Sequence, residues 1–252
     1  MYFNTREYLE RIRFYGDPAV DLQTLKALHK CHIFNVPFEN LDIHFGKPIY
    51  LNVAYLWEKI IERNRGGICY ELNALFYTLL KKLGFKAKMI SGRVLGANGK
   101  YKEEFDHMAI IVDLQQSWLV DVGFGDSFLE PIRIGLESHQ RDSSGFYKIV
   151  RHDQKYLRLC RSEDGINFNV LYIFTLKSRK LEDYYDMCQF HQTSPESLFT
   201  QKRLCTMPKA NGRVTFKDLK IIETVNGIKT KQVIANNEQF LKLLKQHFGI
   251  CI

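Results

Sequence analysis

The chain has 252 residues, of which 45% are hydrophobic, so it is long and apolar enough to fold around a large core. No apolar run approaches the roughly 20 residues of a membrane span and the N-terminal residues lack a signal-peptide stretch, so we expect a cytoplasmic protein without a membrane partner. The net charge of +8 suits an anionic partner, but the basic residues are spread along the chain rather than gathered into a run with interleaved aromatics, which argues against nucleic acid.

The six cysteines are scattered along the chain, without CxxC or Cys/His metal spacing. We therefore expect neither a disulfide framework nor a metal site. All but Cys69 are interpreted as small buried hydrophobic residues.

The first 85 residues are predicted to be mainly helical. Thr5 can cap a first helix, and Asp21 can cap a second. The segment from residue 32 to 42 then mixes apolar and polar residues in a poor helical pattern broken by Pro37, so its polar groups need hydrogen-bond partners.

A glycine loop, Arg65-Gly66-Gly67-Ile68, delivers Cys69 to the start of an amphipathic helix. From Leu72 to Leu83 the apolar residues fall on one helical face, and a glycine at position 84 stands where a C-cap is expected. At the first turn of a helix, unpaired N–H groups and the positive end of the dipole favour a thiolate, so Cys69 is predicted to be a nucleophile. Glu39 could pair with Arg65 and hold this loop, or it could be a solvated loop carboxylate.

From Phe85 the hydrophobic period changes to two. Strands are predicted over residues 86–95, 107–114, 118–122, 147–150, 156–160 and 169–175, which indicates an antiparallel meander or small barrel. Residues 181–205 are predicted to be helical or irregular. Strands over 213–216, 220–225 and 229–234 follow, with a hairpin turn at Asn226-Gly227, and a last helix spans 237–248. The predicted class is therefore α+β: helices, then a β-domain, then a small α/β end.

A nucleophilic cysteine needs a base and a group that orients the base. His107 opens an apolar strand after a polar loop, and Asp121 interrupts another apolar run, where a buried carboxylate must be paired. A two-residue turn at Gln115-Gln116 would leave the two residues roughly 10 Å apart along the strands. Their pairing therefore requires a shifted register, a bulge, or strands that are not neighbours.

The loop after Asp121 contains Gly123, Gly125 and Ser127. Such a loop can let backbone N–H groups approach a phosphate or an acyl oxygen, although a plain strand-ending turn has the same composition.

These motifs resemble the signatures of the arylamine N-acetyltransferases. The segment 65–73, the segment 36–42, His107 and the segment 120–125 all match that family. The similarity continues through residues 191–199 and 212–214, so it covers nearly the whole chain.

The resemblance implies three domains around a cysteine-protease-like core: a helical domain over residues 1–85, an antiparallel β-barrel domain over 86–180 and an α/β lid over 181–252. It also implies a ping-pong reaction of the kind used in xenobiotic metabolism. Cys69 takes acetyl from the co-substrate acetyl-coenzyme A and passes it to an arylamine, arylhydroxylamine or hydrazine. Coenzyme A and small aromatic amines are thus the expected partners, with no metal and no signal for an oligomeric state.

The same resemblance assigns roles to individual residues. Cys69 becomes the nucleophile, His107 the base and Asp121 the orienting group. The remaining candidates are an aromatic wall (Phe38, Phe105 and Phe124), a coenzyme A-facing loop (Phe124, Gly125, Asp126 and Ser127) and a brace for the glycine loop (Glu39 and Arg65).

Two other functions use the same residues. A papain-like cysteine hydrolase or a transglutaminase-like acyltransferase shares the Cys, His, Asp order and the helix-terminal nucleophile. The non-catalytic alternative is a coenzyme A-binding protein. The acyl acceptor, water or amine, does not follow from the triad.

Overall fold

The computed structural model describes residues 3–252. Asp21 caps the second helix as predicted, because its side chain accepts the backbone N–H of Thr24 at 2.7 Å. The first helix is capped by Asn4 instead of Thr5, since the Asn4 side chain accepts the N–H groups of Arg6 and Glu7. The elements of this part are α1 (Thr5–Arg11), α2 (Leu22–Asn35), β1 (Phe38–Glu39), α3 (Leu41–His44), α4 (Val53–Trp57), a π-helical turn (Glu58–Glu62) and α5 (Cys69–Lys82).

An antiparallel sheet follows, and it curls until its two edges meet. Its strands run in the spatial order β5-β4-β3-β2-β9-β8-β7-β6. At the join, Gln140 exchanges hydrogen bonds with the backbone of Arg133 at 2.8 and 3.0 Å, which gives a nearly closed barrel. The strands are β2 (Lys86–Val94), β3 (His107–Asp113), β4 (Ser117–Val120), β5 (Ile132–Arg133), β6 (Gln140–Asp142), β7 (Gly145–Arg151), β8 (Leu157–Ser162) and β9 (Asn169–Phe174).

Strand β3 is buried on both faces, which explains why its sequence is apolar almost throughout. Ala109 and Ile111 point into the barrel, whereas Met108, Ile110 and Val112 pack in the cluster that also contains the apolar face of α5. Helix α5 therefore lies against β2 and β3, with its first residue, the cysteine, at the edge of this contact.

The last part of the chain, together with β1, forms a second antiparallel sheet, ordered β1-β10-β11-β12-β13. Helix α8 packs on it through Phe240, Leu244 and Phe248. The Asn226-Gly227 turn is confirmed, with φ of 50° and 80° as a two-residue hairpin requires. The elements are a 3₁₀ turn (Leu181–Tyr184), α6 (Tyr185–Thr193), α7 (Leu198–Gln201), β10 (Leu204–Lys209), β11 (Gly212–Lys217), β12 (Lys220–Val225), β13 (Ile228–Val233) and α8 (Asn237–Phe248).

Strand β10 is not predicted by the sequence pattern, yet it connects the sheet of the C-terminal part to β1 in the N-terminal part of the chain. It pairs on one side with β11 and on the other with β1, where Phe38 lies opposite Thr206. The polar segment around Glu39 thus obtains backbone partners from a strand that is distant in the chain. The α+β class with a barrel-like sheet is confirmed, while the division into three domains at 85 and 180 stays a prediction. Among residues 3–252, none of the helices has the length and apolar character needed to cross a bilayer.

Candidate active site

Cys69 is the first residue of α5 and lines a cavity of about 250 Å³ together with His107. In the loop that precedes it, the backbone at the two glycines lies too close to neighbouring atoms to leave room for a side chain. A Cβ on Gly66 would lie 1.9 Å from the Pro37 carbonyl oxygen, and one on Gly67 would lie 2.7 Å from the Glu71 carboxylate. The two glycines therefore let the backbone pack directly against the segment that contains β1.

The start of α5 is fixed by a buried carboxylate. Glu71 accepts the backbone N–H of Ile68 at 2.9 Å and thereby pairs one of the free amides at the helix N-terminus. Lys59, presented by the π-helical turn, donates to Glu71 at 2.7 Å and forms a second ion pair with Asp42 at 2.8 Å. Burial disfavours the ammonium, but the surrounding carboxylates outweigh it and raise the pKa of Lys59.

Arg65 completes this buried network. Its Nε donates to Glu39 at 2.9 Å, which is the contact expected from the sequence, and its Nη2 donates to Asp42 at 2.8 Å. Both carboxylates are buried, and Glu39 also accepts the backbone N–H of Leu41. The network ties the loop before Cys69 to the polar segment that the sequence left without partners.

Replacing Arg65 with glutamine is expected to lower the free energy of unfolding by about 3–5 kcal/mol, because the buried Glu39 loses its ion-pair partner and the buried Asp42 keeps only Lys59. Chemical denaturation followed by circular dichroism measures it. Arg63→Gln is the matched control: it removes the exposed ion pair with Glu58, and exposed pairs contribute about 1 kcal/mol or less. Equal losses in the two variants would show that the Arg65 network does not support the loop.

His107 and Asp121 meet despite the separation expected from the strand register. The Nε2 of His107 lies 2.7 Å from Oδ2 of Asp121. Strand β4 ends at Val120, opposite Ile110, and the chain leaves the ladder there, so Asp121 is free to turn towards His107. The turn is one residue longer than the assumed Gln115-Gln116 turn, since Asp113 pairs with Ser117, so the register is shifted by one residue, and the strand ends two residues earlier than predicted. The expected separation of roughly 10 Å therefore does not hold.

Asp121 is fully surrounded by donors. Its Oδ2 accepts from His107 and from the Tyr172 hydroxyl at 2.9 Å, while its Oδ1 accepts from Asn73 Nδ2 and from the Gly123 backbone N–H, both at 3.0 Å. Burial opposes the carboxylate charge, but the His107 charge and these hydrogen bonds together lower the pKa of Asp121. The aspartate is therefore held ionised in the protein interior.

The electrostatics of His107 follow from the same contact. Burial disfavours the imidazolium, yet the Asp121 carboxylate and the neighbouring Cys69 side chain outweigh it and raise the pKa of His107. Because Nε2 is occupied by Asp121, Nδ1 is the ring nitrogen left for the thiol. Cysteine, histidine and aspartate thus form a continuous chain from the cavity to the interior.

Two of the three predicted wall residues line the cavity. Phe38 and Phe124 do so, and the Phe124 ring also lies edge-on to the His107 ring at 5.3 Å. Phe105 is placed elsewhere: its ring packs against Tyr184 at 5.3 Å and under the Arg179 guanidinium at 4.8 Å. The structure therefore does not bring Phe105 to the cavity wall.

The predicted coenzyme-facing loop borders a second space. Gly125 and Asp126 line a groove of about 430 Å³, which shares Phe124 with the cavity and therefore adjoins it. Asp126 lies 3.2 Å from both Arg161 and Arg213, whereas Ser127 faces a small adjoining pocket and its hydroxyl is buried. Within residues 3–252, no three histidine, cysteine or acidic side chains converge as a metal site would require.

Known proteins with a similar sequence identify the family to which this site belongs. The profile of a family described as N-acetyltransferase matches residues 21–252. Two curated relatives are each 30% identical: the arylamine N-acetyltransferase pineal gland isozyme NAT-10 of Gallus gallus, with 99% of this chain and 94% of that protein covered, and the arylamine N-acetyltransferase 1 of Homo sapiens, with 97% and 93% covered. The chain belongs to the arylamine N-acetyltransferase family.

Solved structures of arylamine N-acetyltransferases have the same fold. A Mycobacterium marinum enzyme in complex with CoA superposes with a TM-score of 0.90 at 27% identity, over 98% of this chain and 93% of that one. A Bacillus cereus enzyme superposes with a TM-score of 0.91 at 26% identity, over 98% of both chains. The Bacillus cereus enzyme is described as having a Cys-His-Glu triad, whereas the carboxylate beside His107 in this chain belongs to an aspartate.

Three further residues of this arylamine N-acetyltransferase family member contact the site and were not predicted. Asn73 lies one helical turn after Cys69, so the spacing alone could have placed it on the same face. His29 accepts the backbone N–H of Asp121 at 3.2 Å, and burial lowers the pKa of His29. Tyr172 reaches Asp121 from β9, and no local sequence signal marks either of these two.

Proposed function

We propose that this chain transfers an acetyl group from acetyl-coenzyme A to the nitrogen of arylamines, arylhydroxylamines or hydrazines, through an acetyl-Cys69 intermediate. The observation that carries the proposal is the buried chain Cys69, His107 and Asp121, opening on an aromatic-walled cavity. Cys69 acts as nucleophile, His107 as base and Asp121 as the group that orients and charges the imidazole.

In the first half-reaction, the proton of the Cys69 thiol passes to His107, whose raised pKa favours its protonated form. The Cys69 sulfur attacks the thioester carbonyl, a new C–S bond forms, and the bond to the coenzyme sulfur breaks. The departing coenzyme A thiolate takes the proton from His107. The products are acetyl-Cys69 and free coenzyme A.

In the second half-reaction, the amine nitrogen attacks the acetyl carbonyl on Cys69. The nitrogen loses a proton to His107, the C–S bond breaks with its electron pair on the Cys69 sulfur, and the amide leaves with the acetyl group. The Cys69 thiolate then takes the proton back from His107, which restores the starting state. Phe38 and Phe124 act as the flat walls that hold the aromatic ring, as the family resemblance implies for these positions.

The anionic part of coenzyme A is assigned to the groove beside Gly125 and Asp126. Lys202, Arg213 and Lys217 line that groove, and their positive charge suits phosphate groups. The CoA complex of the Mycobacterium marinum relative supports coenzyme binding by this fold. On the sequence grounds given above, we place the reaction in the cytoplasm and its acceptors among small aromatic compounds, including foreign ones.

Incubation with acetyl-coenzyme A, followed by intact mass spectrometry, tests the proposal. We expect one acetyl group per chain and its discharge when an arylamine is added, with the acetylated amine as product. A protein that never gains acetyl but cleaves amides would instead be a cysteine hydrolase. One that binds coenzyme A without gaining acetyl would be a binding protein.

A further inference from the structure

Two polar side chains outside the triad line the cavity that holds Cys69 and His107 and are largely shielded from solvent, unlike the exposed Lys102 and Glu196 of the same wall. They are His191, on α6, and Asp106, directly before β3. The His191 residue is 8% exposed, and only a tenth of the Asp106 side chain is accessible. The rest of the cavity wall around them is largely apolar, so it offers these groups few hydrogen-bond partners.

The pair is close but not hydrogen-bonded. His191 Nδ1 lies 3.1 Å from the Ser197 hydroxyl, and its Nε2 lies 3.4 Å from Oδ1 of Asp106 without hydrogen-bond geometry. Because Ser197 Oγ already accepts the backbone N–H of Phe199, its own proton can be donated to His191 Nδ1, which leaves the ring hydrogen on Nε2. The buried Nε2–H of His191, which has no hydrogen-bond partner, therefore lies beside the largely shielded carboxylate of Asp106.

The pair is also adjacent to the reacting groups. Asp106 precedes His107, and the hydroxyl of Tyr70, the residue after Cys69, donates to the Phe105 backbone carbonyl at 2.8 Å and lies 3.2 Å from that of Asp106. The Tyr70 ring lies 6.0 Å from the His191 ring, measured between centroids. An acceptor with its nitrogen at Cys69 thus has this polar pair within the same cavity.

We propose that Asp106 and His191 form a subsite for a hydrogen-bond-donating substituent of the acceptor, such as a hydroxyl or a second amino group. This deepens the proposed function and rests on it. A donor on the substrate pairs with the Asp106 carboxylate, and the same substituent accepts from His191 Nε2–H. An acceptor without such a group leaves both buried groups unpaired, and an acceptor that carries a carboxylate meets the negative charge of Asp106.

The acceptors 4-hydroxyaniline and 4-methoxyaniline test this directly. Both substituents release electrons to the ring, so the nitrogens are similar nucleophiles, but only the hydroxyl donates a hydrogen bond. We expect kcat/KM to favour the hydroxyl compound about tenfold to a hundredfold in the unmodified protein. Equal values for the two compounds would overturn the subsite, whatever the variants do.

Two variants locate the effect. His191→Leu should reduce the preference for the hydroxyl compound. Asp106→Asn should make the carboxylated acceptor 4-aminobenzoate about tenfold better relative to 4-methoxyaniline, because the repelling charge is gone. Glu196→Gln is the matched control, since it removes one negative charge from the same cavity at an exposed position and should change neither ratio. A shift of the same size in Glu196→Gln would overturn the assignment to Asp106.

The first half-reaction separates this proposal from the proposed function. Each variant should still gain one acetyl group on Cys69 from acetyl-coenzyme A, which also shows that it is folded. If the unmodified protein gains no acetyl group from acetyl-coenzyme A, acetyl transfer itself is contradicted. A normal adduct with unselective transfer to the acceptors would contradict only the subsite.

Discussion

Replacing Cys69 with alanine is expected to abolish both the acetyl adduct and the acetylation of arylamines, with a loss of at least about 10⁵-fold in turnover. The Cys69 sulfur is the atom that attacks the thioester and holds the acetyl in the proposed mechanism, whereas the Nε2 of His107 is engaged by the Asp121 carboxylate, so the variant retains the base and its orienting group but lacks the nucleophile. The measurement is intact mass after exposure to acetyl-coenzyme A, together with product formation from an arylamine.

The control is Cys251→Ser, which removes an exposed thiol far from the triad in sequence and should leave one acetyl per chain. The fold of Cys69→Ala should survive, because alanine keeps the helix start and removes only a sulfur atom at the cavity edge. An acetyl adduct that persists in Cys69→Ala, or that disappears in Cys251→Ser, would show that another thiol carries the acyl group.

The local patterns were sufficient for much of the architecture. Helix α5 and helix α8 follow from their apolar spacing, and the second occupies the predicted residues 237–248. The buried strand β3 follows from its continuous apolar run. These elements are predictable because each has one dominant local cause: a single buried face, or burial on both faces.

What the sequence could not specify depends on contacts between distant segments. Strand β10 contains a proline and pairs with a two-residue strand far away in the chain, so neither its composition nor its length marks it. The contact between Arg65 and Glu39 was one of two alternatives in the sequence, and the folded structure shows that it forms. Three site residues lie on three separate elements: His29, Tyr172 and His191. Their hydrogen bonds contribute because folding buries them together, and this burial is not visible in the sequence.

The pairing of His107 with Asp121 shows where a strand-based expectation fails. Strands β3 and β4 pair regularly up to Ile110 and Val120, but one residue out of the register expected from a two-residue turn. The carboxylate lies just beyond, in a turn whose course depends on Gly123. A Cβ at that position would lie 2.7 Å from the Cys69 Cα, so the glycine allows the turn to pack on the helix start.

Asp121→Asn is expected to leave the fold intact and to slow acetylation of Cys69 by about 10⁴-fold. All four partners of the carboxylate are donors, so an asparagine amide must place its NH₂ group against two of them. The backbone N–H of Gly123 and the amide of Asn73 cannot turn away, whereas the Tyr172 hydroxyl can rotate and His107 can move its proton. The NH₂ group therefore faces His107, whose Nε2 becomes an acceptor and whose Nδ1–H then points at the thiol.

That tautomer cannot take the Cys69 proton, and without the carboxylate charge the burial of His107 lowers its pKa. The rate of the first half-reaction, followed by rapid mixing with acetyl-coenzyme A, measures the effect. Tyr172→Phe is the matched variant, because it removes one hydrogen bond from the same Oδ2 atom but keeps the charge and the tautomer; a loss below about tenfold is expected. If the two variants lose activity equally, Asp121 acts by holding the loop in place, whereas a large loss confined to Asp121→Asn assigns the effect to the charge and proton position of His107.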